Sequence, residues 1–357
     1  MNINLIVGFM AVIVAMTNAS FAQYDRELIQ SIYSEIKIQN DKEAVANSEA
    51  YQTYISSSAI SAELSKLFTK VKSGGIKIYS IGSRPYELAE DLIGSEITSV
   101  EAIESKFYWR YSEPHLDQYG DEIYGELTGV RVDTSVVMPI NIEDVGALGV
   151  IENWYLNKKT DKIEKEVVAY APIMNELNYS GTIGSSSKMF FVKVENNDKP
   201  FKEYNVLTDI KVSTPRPYLD WFKQFESSSK AVLIKSVREL ARQNPNNLWQ
   251  KSISGKHAIA TYESAFFFPS VQPLLDEDGV EMYSSITGER IDTTMLVRVS
   301  IAEISKIRSH ETIKMNLANG FFKKSVTGIE IYKLKYTKTG FEGRNREDES
   351  KFIYKYN

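Results

Sequence analysis

The chain repeats itself, and any fold proposed for it has to accommodate two copies of one pattern. Sliding the sequence by 159 residues lays residues 104–134 on residues 263–293 without a gap. Glu104-Ser105 recurs as Glu263-Ser264, Phe107 as Phe266, Pro114 as Pro273 and Leu116-Asp117 as Leu275-Asp276. Gly120, Glu122 and Tyr124 recur as Gly279, Glu281 and Tyr283, and both blocks close on Thr-Gly-x-Arg-x-Asp-Thr, at 128–134 and 287–293. Self-similarity at a fixed offset marks a structural unit made twice.

The physical pattern runs on past the identities. Val136, Met138 and Ile140 alternate as a strand with one apolar face, and Met295, Val297 and Val299 do the same. Asn141 and Ser300, with Asp144 and Glu303 three residues on, predict helix starts by capping-box chemistry. Ile142, Val145 and Leu148 in one copy and Ile301, Ile304 and Ile307 in the other then share a helical face. Each helix is expected to lead to a last hairpin, 150–156 with 163–171 in the first copy and, with a gap between the copies, 312–317 with 322–335 in the second. Upstream, Ile60, Leu64, Leu67 and Val71 predict a helix ended by Gly74-Gly75, a strand follows at 76–80, and Ser83 and Pro85 open a further helix through Leu92. Residues 188–194 read as a strand and 229–243 as a helix with Leu233, Val237 and Leu240 aligned.

The expected fold class is α+β: two related modules of antiparallel strands and short helices, after a signal peptide and a helical N-terminal arm. The expected divisions are a signal peptide at 1–22, a helical arm at 23–58, a first module at 59–180, a connecting strand and helix segment at 181–245, and a second module at 246–357. With 357 residues, 43% of them hydrophobic and 25% charged, the chain has the composition for two cores.

The leader reading rests on an apolar run at 5–16 followed by small Ser20 and Ala22 at the −3 and −1 positions, with Gln23 next, although no Lys or Arg precedes the run. About a dozen apolar residues is short for crossing a bilayer. No cysteine is present, so neither disulfides nor a lipid-bearing N-terminal cysteine is available. Regular ten-residue alternation of the kind that builds a membrane barrel is not seen. These features together predict a soluble periplasmic protein with no direct membrane insertion. A net charge of −5 gives no cationic excess to neutralise a phosphate backbone, which argues against nucleic acid as a partner.

No catalytic constellation is visible, and no catalytic, metal-binding or cofactor-binding residue is assigned. His115, His257 and His310 are scattered, without partners at ligand spacing. Residues 185–188 and 227–230 fit S-x-x-K and 338–340 fit K-T-G, but the third element of that set is missing and Ser185 leads into a strand pattern. Asp117 with Gly120 and Asp276 with Gly279 read as hairpin turns used twice, because calcium-loop spacing fails. Aromatic residues cluster at 107–111, 154–155 and 266–268, first as core and second as interface material; Trp154 and Tyr155 are the candidates for protein interaction.

Several segments carry a family resemblance. Glu152, Trp154 and Asn157-Lys158 leading to Ala171-Pro172 resemble the E-x-W-x-x-D/N-K hairpin and apolar A-P step of the GldN/PorN proteins. Leu67-Phe68 through Gly74-Gly75 to Ile76 and Tyr79, the strand at 189–194, Lys199-Pro200 to Val206, and the Trp221 segment at 218–222 follow the same order, so that the resemblance covers about 60–235. It implies a non-enzymatic periplasmic subunit of a Bacteroidota gliding-motility and type IX secretion ring. Its implied partners are an outer-membrane ring lipoprotein and the periplasmic stalk of an inner-membrane motor, in an oligomeric assembly held near the outer membrane by the lipoprotein. The competing expectation is a secreted or periplasmic ligand-binding module without catalysis.

Overall fold

The computed structural model describes residues 25–39, 54–83, 88–126, 128–177, 183–195, 202–211, 226–251, 257–339 and 343–356; the expected signal peptide lies outside them. The fold is α+β and largely antiparallel. The first half contains β1 (Arg26–Gln39), β2 (Tyr54–Ser56), α1 (Ser57–Lys72), β3 (Ile78–Ile81), β4 (Ile93–Ile97), α2 (Val100–Ser105), β5 (Tyr108–Pro114), β6 (Asp133–Pro139), β7 (Val145–Asn157), β8 (Ile163–Leu177), β9 (Ile183–Lys188) and β10 (Val192–Lys193). The second contains β11 (Lys202–Lys211), α3 (Ser227–Gln243), β12 (Leu248–Lys251), β13 (His257–Ile259), α4 (Tyr262–Phe266), β14 (Phe267–Pro273), β15 (Asp292–Arg298), β16 (Ile304–Asn316), β17 (Phe321–Thr339) and β18 (Gly343–Lys355).

Over its described residues, 25–39 and 54–56, the expected helical arm is extended and not helical. Residues Arg26–Gln39 form a long strand paired antiparallel with β7 from Arg26↔Asn157 to Lys37↔Ala147. Ile32 and Ile36 are four apart and suit either period; the pairing partner decides, as tertiary context does when local propensity is weak. Gln30, Ile32, Ser34 and Ile36 then face inward together.

The duplication extends further than the identities. One sheet has the order β10–β8–β7–β1–β2, with β9 also beside β8, and the other β11–β16–β17–β18–β12–β13. The hairpin β7–β8 pairs from Val145↔Met174 to Leu156↔Ile163, and β16–β17 pairs from Ile304↔Lys333 to Met315↔Phe322, the same register displaced by 159. Both hairpins carry bulges at equivalent places, past Val145 and Ile304 and past Ile151 and His310. The gap expected in the second copy is therefore absent. Residues 181–245, expected as a connection, are divided: β9 and β10 complete the first sheet, and β11 enters the second.

The bulges also explain why the expected amphipathic helices are not there. Both capping boxes form, with the Asn141 N–H donating to Asp144 Oδ2 at 2.7 Å and the Ser300 N–H to Glu303 Oε2 at 2.8 Å. Each closes only a single 3₁₀ turn, Ile142–Asp144 or Ile301–Glu303, before the chain extends into β7 or β16. Val145 and Leu148, like Ile304 and Ile307, lie three apart and are buried together because the bulge between them switches the side-chain alternation. The spacing imitates a helical face. The helix expected from Ser83 to Leu92 is a 3₁₀ turn at Ala89–Leu92, with residues 84–87 outside the described set.

The two sheets pack face to face, and neither half keeps its core to itself. The helix α1 buries Ile60, Leu64, Leu67, Phe68 and Val71 against Leu148, Val150 and Tyr170 of the first sheet and Ile313, Met315 and Phe322 of the second. At the other end, α3 buries Leu233, Ile234, Val237 and Leu240 against Ile32, Trp154 and Ile163 of the first sheet and Ile304, Ile307, Ile329 and Ile331 of the second.

Two ribbons leave this body. Among the described residues β5 pairs only with β6, and β14 only with β15, in matching registers. Phe107 and Phe266 root them in the two cores. Beyond the ribbons the tips fold back: the Ile123 N–H donates to the His115 carbonyl and the Val132 N–H to the Ile123 carbonyl, both at 2.8 Å, and Met282, Leu274 and Ile291 repeat this. Asp117 Oδ1 accepts from the Tyr119 and Asp121 N–H groups at 2.8 and 3.0 Å, Asp276 does the same for Asp278 and Val280, and Gly120 and Gly279 take the positive φ these turns need.

Candidate functional site

Where the two sheets face each other, each central strand runs out of one apolar core and into the other, and at the crossing point it carries a charge. On β7 the inward positions are Leu148, Val150, Glu152 and Trp154; on β16 they are Ile307, Ser309, Glu311 and Ile313. β8 contributes Lys165 and β17 contributes Lys324. Displacing Glu152 and Lys165 by 159 gives Glu311 and Lys324, so the four residues are one pair used twice.

The four side chains have no solvent exposure and form a closed ring of alternating charge. Lys165 Nζ lies 3.1 Å from Glu152 Oε1 and also contacts Glu311 Oε1. Lys324 Nζ lies 2.7 Å from Glu152 Oε2 and 3.4 Å from Glu311 Oε2. Hydroxyl groups complete the shell: Thr208 Oγ1 donates to Glu311 Oε2 at 3.0 Å, Ser309 donates to Glu311 Oε1, Lys165 donates to Ser309 Oγ at 2.9 Å, and Lys324 reaches Ser34 Oγ at 3.4 Å. Trp154 Nε1 donates to Glu152 Oε1 at 2.9 Å, and its ring sits 3.6 Å beneath the Lys165 ammonium.

A buried charge is tolerated only when it is paired and hydrogen-bonded, and this ring is neutral overall. Burial pushes the Glu311 carboxyl up, but Lys165, Lys324 and the Ser309 hydroxyl override it and hold the group at about 2. Burial pushes Lys324 down, yet Glu152 and Glu311 together carry it above the usual lysine value. For Lys165 burial outweighs both carboxylates, and its value falls. Because the Glu311 value drops from 4.5 to about 2 on folding, its contribution is complete above pH 4.5 and is lost as pH falls toward 2. We expect Glu311→Gln to flatten the acid limb of the stability profile by ~3 kcal/mol across that interval, read from urea unfolding at stepped pH. Parallel slopes for the two proteins would remove Glu311 from acid sensitivity.

The ring is built for cohesion. It ties β7 and β8 to β16 and β17 at one register, and each lysine bridges a carboxylate of its own half and one of the other. Beside it, residues 163–167 and 321–326 line a cleft of about 700 Å³ with Arg26, Lys162 and Tyr356.

Trp154 lies in the second core with no exposure, so its contacts are within the chain. Tyr155 is half-buried on the opposite face, with the Arg26 guanidinium 4.1 Å from its ring centroid. Other sequence features are accounted for locally. His115 Nδ1 is 2.8 Å from Thr134 Oγ1 on an exposed ribbon, and Lys230, in one S-x-x-K, donates to the Ile304 carbonyl at 2.9 Å. Ser185 and Lys188, in the other, stand on the strand β9, as expected. The sequence reading missed the ring. Its signal was available in lysines at 165 and 324, each set in an apolar alternation, and the supposed gap in the second copy concealed their equivalence.

The family model described as gliding motility associated protein GldN matches residues 17–264. The chain belongs to the GldN family. The match takes in the whole segment on which the resemblance was read and extends it at both ends, through β1 and into α4. GldN proteins are components of the gliding-motility and type IX secretion machinery of the periplasm, and this chain is one of them. No curated protein matches it. No helix among the described residues is long and apolar enough to cross a membrane.

Proposed function

We propose that the chain is a non-enzymatic structural subunit of the periplasmic ring of the gliding-motility and type IX secretion apparatus. In this reading it assembles with an outer-membrane lipoprotein and couples to the periplasmic stalk of an inner-membrane motor. Membership of the GldN family carries the proposal. The architecture supports it: the most elaborate polar cluster among the described residues is enclosed between two sheets and holds them together. The duplicated body divides between residues 195 and 202 into two modules, each bearing one ribbon. In this reading its place at the outer membrane depends on an anchored partner.

Affinity purification of the tagged full chain from crosslinked native envelopes, with mass spectrometry and negative-stain imaging, tests the proposal. Ring-shaped particles containing an outer-membrane lipoprotein are the expected result. A lone monomer would sink the assembly reading and favour a ligand-binding module, for which the cleft between 163–167 and 321–326 is the observation in hand.

A further inference from the structure

The two ribbons are not finished surfaces. A two-stranded ribbon that pairs with nothing else among the described residues is marginal in water, and its outer edges offer backbone groups to another chain. Folded proteins commonly guard such edges with lysine. Neither ribbon, 108–139 or 267–298, contains one, and of the prolines that also guard edges Pro114, Pro139 and Pro273 stand at strand ends while Pro269 lies inside β14. Large apolar side chains stand in solvent along both: Tyr119 is 80% exposed and Ile286 93%, and Tyr124, Val130, Tyr283 and Leu296 are each more than half exposed.

Charge narrows what covers them. Each ribbon carries six carboxylates against two arginines, a net −4, although the whole chain is only −5. Ribbon therefore repels ribbon, while the body that bears them holds an excess of cations. The duplication completes the argument, because a chain with two equivalent ribbons also presents two equivalent modules. Copies joined ribbon to body cover the ribbons in a head-to-tail geometry, which forms a ring where the rotation closes.

We propose that the ribbons 108–139 and 267–298 are docking arms that lie against the body of a second copy of this chain. The proposal rests on the ring-subunit reading above and names the contact within it. Like charges separate arm from arm, apolar side chains and open strand edges supply adhesion, and the charge contrast between arm and body selects the orientation. Because solvent-exposed charges are screened by salt, association weakens as salt rises.

The absence of cysteine makes the test clean. Tyr119→Cys and Ile286→Cys, at exposed tip positions, each give the full chain a single thiol for a benzophenone maleimide. Labelled protein is mixed with ¹⁵N-enriched unlabelled protein, irradiated and digested, and crosslinked peptides are assigned by isotope. Crosslinks from each arm to body peptides of the other isotope, reduced several-fold at 1 M salt, are the expected result. Crosslinks confined to one isotope, crosslinks only between arms, or none would overturn the proposal. The same labelled chains are then added to native envelopes. If the arms crosslink only to a different protein while the outer-membrane lipoprotein still co-purifies, the docking proposal fails and the ring reading stands. If the lipoprotein does not co-purify, the ring reading fails whatever the arms touch.

Discussion

Glu311→Leu is expected to destabilise the protein by about 3–5 kcal/mol, because it leaves Lys165 and Lys324 buried with a single carboxylate between them. The loss comes less from the vanished attraction than from the desolvated charge that remains. For that reason the combination Glu152→Leu, Lys165→Met, Glu311→Leu, Lys324→Met should recover most of it, since an apolar replacement of similar volume removes every buried ion at once. Urea unfolding midpoints for the single, the quadruple and the unchanged chain give the comparison. A quadruple variant that loses markedly more than Glu311→Leu alone would mean that the ring is not a coupled unit, and the account of two sheets locked by one neutral network would have to be given up.

Trp154→Ala should cost about 3–5 kcal/mol, the range for emptying a large buried aromatic site. Its ring packs in the second core, its Nε1 holds Glu152, and Lys165 rests on its face, so the substitution opens a cavity and loosens the charged ring together. Tyr155→Ala, which removes a half-buried ring stacked with Arg26, should cost about 1 kcal/mol or less. The split is informative because the two residues are adjacent and were paired by the sequence as interaction candidates. Equal and small effects on thermal unfolding would contradict the burial of Trp154.

The legibility of the chain was uneven, for reasons visible at particular residues. The ribbons and their turns could be read because the information is local: Asp117, Gly120, Asp276 and Gly279 determine the tips from neighbouring positions. The helices α1 and α3 were readable from the 3.6-residue spacing of Leu64, Leu67 and Val71, and of Leu233, Val237 and Leu240. The N-terminal strand was not, because its identity depends on β7, more than a hundred residues away in sequence. The false helices after Asn141 and Ser300 show how a bulge can imitate helical periodicity when a capping box precedes it. The charged ring was hidden for a different reason. Burial of Glu152 and Lys165 is settled by Glu311 and Lys324, and no local window contains both pairs.

The ring contacts are reciprocal: Lys165 reaches Glu311 as Lys324 reaches Glu152. Reciprocity of that kind is the mark of an isologous interface between identical subunits. Here the same geometry lies inside one polypeptide, with the two halves of the repeat in the places of two subunits. Two halves joined covalently need not be alike. At one pair of equivalent buried positions Trp154 now stands opposite Ile313 in the duplicated order, a difference no symmetric dimer could have tolerated on one side alone.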